Sequence, residues 1–134
     1  LPIHYLNTDL DLVATSNLRP LAAALEAFGI LALNVWQVEN GSWHATFEAS
    51  TQYKEPELTI KAMLHAIDHL GDANRRRWSR CKLREFNIGY DNSTEPWPFD
   101  NGLSNKTLRR IAEIGATLRI TVYPATRANR KRGP

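Results

Sequence analysis

The chain has one cysteine, Cys81, in 134 residues. An intramolecular disulfide is therefore excluded, and disulfide-stapled scaffolds with it; a reducing cytoplasm is the expected location. Long apolar runs are also missing. The longest are a few residues, far short of the ~20 that a membrane-spanning helix needs. No secretory leader of basic start, apolar stretch and small-residue cleavage site can be read. Glycine-rich phosphate loops, nucleophile-elbow motifs and internal repeats are absent. Membrane spans and the common nucleotide and serine enzymes drop out, and no cofactor or metal is expected.

Acids are missing from one stretch. After Tyr123 the chain carries Arg127, Arg130, Lys131 and Arg132 and no carboxylate. The net charge is +3; removing these four from the 17 basic residues leaves 13 against 14 acidic ones. The basic character belongs to the tail, so the rest is poor in the charge that nucleic-acid binding uses.

What is present reads as a single α+β domain over 1–123 with a disordered basic tail over 124–134. The apolar fraction, 43%, is that of a globular chain. Asp9 to Thr15 alternates, with Leu10, Leu12 and Ala14 on one face, and predicts a strand; residues 1–8 read as an arm. Ser16 or Asn17 can cap a helix whose stripe is Leu18, Leu21, Leu25 and Phe28, ended by Gly29. Ile30–Val38 and Ser42–Glu48 form a hairpin around Asn40-Gly41. A two-residue loop would put Trp36 opposite Ala45; a three-residue loop with Gly41 left-handed puts Leu31, Leu33, Val35, Trp43, Ala45 and Phe47 on one face and Trp36 on the other, and burial of that set selects it.

Pro56 starts the longest helix, with Ile60, Met63, Leu64, Ile67 and Leu70 inward and Gly71 as the stop. Asp72 can cap a shorter segment anchored by Trp78. Leu83–Asp91 is a strand with Phe86, Ile88 and Tyr90 on one face. Ser104 caps a last helix with Leu103 and Leu108 as a hydrophobic staple and Leu108, Ile111 and Ala112 inward. The closing strand buries Leu118, Ile120 and Val122, and Pro124 ends its pairing. The predicted architecture is a two-layer sandwich: a mainly antiparallel sheet with helices on one face, a ferredoxin-like β-α-β-β-α-β core and a closing α-β.

Candidate sites are few. His65 and His69 lie one helical turn apart beside Asp68, but opposite the apolar stripe and without the glutamate of a zinc hydrolase, so an unliganded exposed pair is expected. Arg75, Arg76, Arg77, Arg80, Lys82 and Arg84 surround Trp78, a pattern suited to phosphates and stacked bases or to a solvated turn. The loop from Asn92 to Gly102 carries Trp97 and Phe99 among prolines. It either presents a stiff aromatic contact or plugs the core end. Asp9, Asp11, Asp91, Glu95 and Asp100 could hold a carboxylate pair, although no spacing demands one. Cys81 sits among arginines that could activate it, or is a buried inert thiol. Asn92-Ser93-Thr94 fits a glycosylation sequon.

Phe86-Asn87-Ile88-Gly89-Tyr90, Leu103-Ser104, Leu108, Ile111-Ala112, Gly115-Ala116, Leu118, Ile120 and Tyr123 resemble the end of small bacterial proteins grouped as domains of unknown function. Relatives of those proteins sit beside bacterial toxins as suspected immunity proteins. The resemblance covers the last third and implies the fold and a bacterial origin, and immunity-type binding follows from it only by analogy with those relatives. The expected function is non-enzymatic protein binding through the open sheet face and the Trp97 loop. The exposed Trp36 face would take a second copy or another protein. Nucleic-acid binding by the arginine cluster and tail, or a small hydrolase or metal enzyme, are the alternatives; no membrane contact is expected.

Overall fold

The computed structural model describes residues 4–92 and 99–124. The elements are β1 (His4–Ala14), α1 (Arg19–Glu26), β2 (Ile30–Gln37), β3 (Trp43–Ala49), α2 (Pro56–Asp68), α3 (Asp72–Ser79), β4 (Leu83–Asp91), α4 (Asn105–Glu113) and β5 (Thr117–Tyr123). The fold is α+β. The sheet runs β2-β3-β1-β4-β5. β1 pairs antiparallel with β3 and β4, and β2 with β3. β5 pairs parallel with β4, which the α4 crossover permits.

One face of the sheet is apolar because alternate strand residues are. Leu10, Leu12, Ala45, Phe47, Phe86 and Ile88 join Leu21 and Leu25 of α1, Ile60, Met63 and Ile67 of α2, Trp78 of α3 and Ile111 of α4 in one buried core. No described helix is long and apolar enough to cross a membrane.

The hairpin forms with the predicted three-residue loop. Val38 N–H donates to Ser42 O at 2.8 Å and Gly41 N–H to Val38 O at 2.9 Å, with Gly41 at φ +90°. Glycine adopts that left-handed conformation without the steric cost a Cβ brings. Val35 faces Ala45 as predicted, but the register shifts between Ala32 and Asn34. Leu33 is the extra residue of this bulge. Ala32, not Leu33, lies opposite Phe47, and Leu31 and Leu33 are exposed rather than core. Leu33→Ser is therefore expected to shift stability by less than about 0.5 kcal/mol, where a core leucine would lose several times that. Urea unfolding checks this, and a loss above about 2 kcal/mol would contradict the exposure of Leu33.

Five further expectations are corrected. Residues 4–8 are not an arm but the first half of β1, paired with β4. A register shift between Tyr5 and Asn7 hides their alternation. Phe28 is exposed beyond the end of α1, against the rings of His65 and His69. Leu108 and Ala112 face outward, and α4 docks through Thr107 and Ile111 instead. Leu118, Ile120 and Val122 point to the helix side as predicted but stay exposed, because β5 is the sheet edge and no helix covers it. Gly71, at φ −74°, is the N-cap of α3, the place expected for Asp72, and α2 already ends at Asp68.

Candidate functional site

The face of the sheet away from the helices is built by all five strands. Pairing sets its rows. Trp36, His44, Val13 and Leu83 lie side by side across β2, β3, β1 and β4. The next row is Asn34, Thr46, Asp11, Glu85 and Thr117. Then come Asp9, Asn87 and Arg119, followed by Asn7, Gly89 and Thr121. An apolar end thus borders an acidic middle. Trp36 lies on this face as predicted and stacks on His44, ring centroids 5.2 Å apart.

Side-chain hydrogen bonds stitch the face together. Asn7 Nδ2 donates to Asp9 Oδ1 at 3.0 Å, and Thr46 Oγ1 to Asp11 Oδ1 at 3.0 Å. Glu85 is buried and takes Arg119 Nε at 2.7 Å and Thr117 Oγ1 at 3.1 Å. Thr121 Oγ1 donates to Asn87 Oδ1 at 2.7 Å. Desolvation, then the charges of Asp11 and Glu48, push the Asp9 carboxyl up to about 6; Asn7 opposes them weakly. Asp11 is raised too, by desolvation first and by Glu85, against Thr46 and Arg119. Sequence alternation places Asp9 and Asp11 on one face. That Glu48 and Glu85 join them depends on strand order, which no local pattern carries.

The arginine cluster is dispersed by its structural work. Arg84 Nη1 donates to the carbonyls of Trp78 (3.0 Å), Ser79 (3.3 Å) and Cys81 (2.8 Å), and its Nε to Gly115 O at 3.0 Å. These are carbonyls at and after the ends of α3 and α4, which need donors. Arg75 bonds Leu70 O and Asp68 O, and Arg77 bonds Asn74 Oδ1. Arg76 and Arg80 remain exposed. Trp78 is buried, with its indole N–H on Ile114 O at 2.9 Å.

Cys81 is buried and desolvation pushes its thiol up to about 11 despite Arg84, so it is not the activated nucleophile its arginine neighbours suggested. His65 and His69 are exposed, rings 4.4 Å apart, with His69 Nδ1 bonded to His65 O. Among the described residues no three His, Cys, Asp or Glu side chains gather as a metal site would need. A shallow groove of about 210 Å³ between α2 and α4 is lined by Lys61, His65, Lys106 and Arg110, where Arg110 pairs with Asp68. Phe99 packs edge-on against Tyr90, centroids 5.6 Å apart, and stays partly exposed. Trp97, Glu95, the Ser93-Thr94 part of the sequon and the tail after Pro124 lie outside the described residues.

No family model, no curated protein and no solved structure matches this chain.

Proposed function

We propose that the chain is a non-enzymatic protein-binding domain whose open sheet face receives a basic segment of a partner, with an apolar anchor at Trp36. The observation that carries this is the place of Asp9 and Asp11 on the open face, in neighbouring rows with Glu85, where burial first and then the charges of Asp11 and Glu48 disfavour the ionised Asp9. Such crowding costs stability, and an arriving lysine or arginine relieves it. The Trp36–His44 stack, two rows away on the same face, supplies the aromatic contact that interface centres favour. A second copy suits this face less well, because face-to-face docking sets the acids against their own copies. Immunity-type neutralisation of a basic partner is the most specific form of this reading, and the resemblance of the last third supports it. The nucleic-acid alternative keeps Arg76, Arg80 and the tail, since Arg75, Arg77 and Arg84 are already engaged. We also read the first four strands as a ferredoxin-like unit, supported by their order β2-β3-β1-β4 and antiparallel pairings, with β5 added in parallel.

A titration with an oligo-arginine peptide at low salt, followed by tryptophan emission, tests the binding reading. Wild type should bind, and Asp9→Asn/Asp11→Asn should bind about tenfold more weakly. Binding should also weaken as pH falls through 6, where Asp9 takes a proton. Equal affinity of the two proteins at pH 7.5 overturns the reading.

The same crowding predicts a stability signature. The folded pKa of Asp9 is raised, so between its ordinary 3.8 and about 6 the native state binds more protons than the unfolded chain. Wild-type stability then falls as pH rises through that window. Asp9→Asn is expected to stabilise by about 1 kcal/mol at pH 8, after discounting for solvent screening, and by nothing below pH ~4. Thermal melts at both pH values check it; a destabilised variant at pH 8 contradicts it.

A further inference from the structure

The two edges of the sheet differ in how they are protected. β2 carries the Leu33 bulge, which shifts its register against β3, and a bulge is one of the devices that blunt an edge strand. β5 runs in unbroken register with β4 from Thr117 to Tyr123, without proline or bulge. It also exposes three apolar side chains in a row: Leu118 at 39%, Ile120 at 67% and Val122 at 52%. Ile120 is the most exposed large apolar residue among those described, and Leu108 of α4 is exposed as well.

The free backbone groups of β5 fall on those same residues. Asn92 N–H donates to Tyr123 O, so Tyr123 turns its polar groups toward β4. In a parallel pair alternate residues do so, which gives Thr117, Arg119 and Thr121 to β4. Leu118, Ile120 and Val122 therefore aim their N–H and C=O groups away from the sheet. The strand reads Thr-Leu-Arg-Ile-Thr-Val-Tyr, and it is self-complementary about Ile120. Turned antiparallel on itself, it sets Ile120 opposite Ile120 and Leu118 opposite Val122 on the helix side. Arg119 then lies opposite Thr121 on the other side, and no like charges meet.

We infer that β5 is a homodimer edge: two copies pair antiparallel through β5 about a two-fold axis at Ile120, forming one continuous ten-stranded sheet. Each opposed pair among Leu118, Ile120 and Val122 would exchange both backbone bonds, as hydrogen-bonded antiparallel pairs do. Leu118, Ile120 and Val122 of each copy close one apolar row. A two-fold contact demands such self-complementarity, and a heterologous strand does not. This surface is separate from the open sheet face, so the two proposals stand or fall independently.

Sedimentation at high micromolar concentration should give wild type at twice the 15.2 kDa chain mass. Ile120→Lys, which sets two ammonium groups face to face, should sediment as a folded monomer. Trp36→Glu should remain a dimer, which separates this contact from one through the open face. Register is read by cysteines, with Cys81 buried. Arg119→Cys mixed with Thr121→Cys should cross-link under oxidation, because opposed residues lie about 5 Å apart at Cβ and diagonal ones 7–8 Å. Neither variant alone should do so. A monomeric wild type, a dimer untouched by Ile120→Lys, or a mixture that does not cross-link overturns the inference. If Ile120→Lys does not fold, the cysteine mixture decides.

Discussion

Trp78→Ala is expected to cost about 4 kcal/mol of folding stability, the largest single loss we anticipate. α3 has eight residues, Asp72–Ser79, and Trp78 is the one that it buries. A helix so short is unstable alone, so this side chain holds it to the domain. The ring is 6% exposed, and its N–H on Ile114 O ties α3 to the end of α4. Removing it leaves a large cavity between α3 and the core and takes away the donor to Ile114 O. Trp78→Phe keeps most of the volume and removes the donor, so it should cost about 1–2 kcal/mol. Urea unfolding of both variants separates packing from hydrogen bonding. A loss below about 1 kcal/mol for Trp78→Ala would mean that α3 is held by other contacts.

Elements defined by local chemistry are legible in the sequence. Asn40-Gly41 marks the turn and burial of one strand face selects its three-residue form, Ser104 accepts Thr107 N–H as its cap, and the Ile60–Ile67 stripe faces the core. Illegible features depend on what lies across from them. A bulge inserts one residue and reverses the alternation beyond it, so Leu33 reads as core and residues 4–8 as patternless. β5 alternates whether or not a helix covers it, and coverage is a property of strand order. The candidate site divides in the same way. Trp36 follows from the loop type, and Asp9 and Asp11 from alternation. Glu48 and Glu85 arrive by pairing, and Arg75 and Arg84 are engaged at helix ends that their own neighbourhood does not reveal.

Glu57 escapes local reading altogether, and it carries the second large effect. α4 has no acidic residue in its first turn, and Thr107 stands where a capping box would place Glu or Gln. Glu57, from the first turn of α2, supplies what is missing. Its Oε1 accepts Ser104 N–H at 2.9 Å, and its Oε2 accepts Ser104 Oγ and Thr107 Oγ1 at 2.9 Å each. One carboxylate thus lies at the positive ends of two helices. Desolvation pushes its pKa up, but the hydrogen bonds from Ser104 and Thr107 outweigh it and hold the group below its ordinary 4.5. Glu57→Ala leaves Ser104 N–H and the buried Thr107 hydroxyl without their acceptor. It should cost about 2 kcal/mol at pH 7, the lower part of the charged hydrogen-bond range for a partly exposed site. Because the folded pKa is lowered, the contribution is full above pH 4.5 and is lost as pH falls through the folded value. Below pH 4.5 the gap between wild type and Glu57→Ala should therefore narrow, while the opposite slope from Asp9, present in both proteins, cancels from the gap. Urea unfolding at pH 7 and pH 3 measures that gap. A gap of equal size at both would show that the side chain of Glu57 matters for its packing and not for its charge.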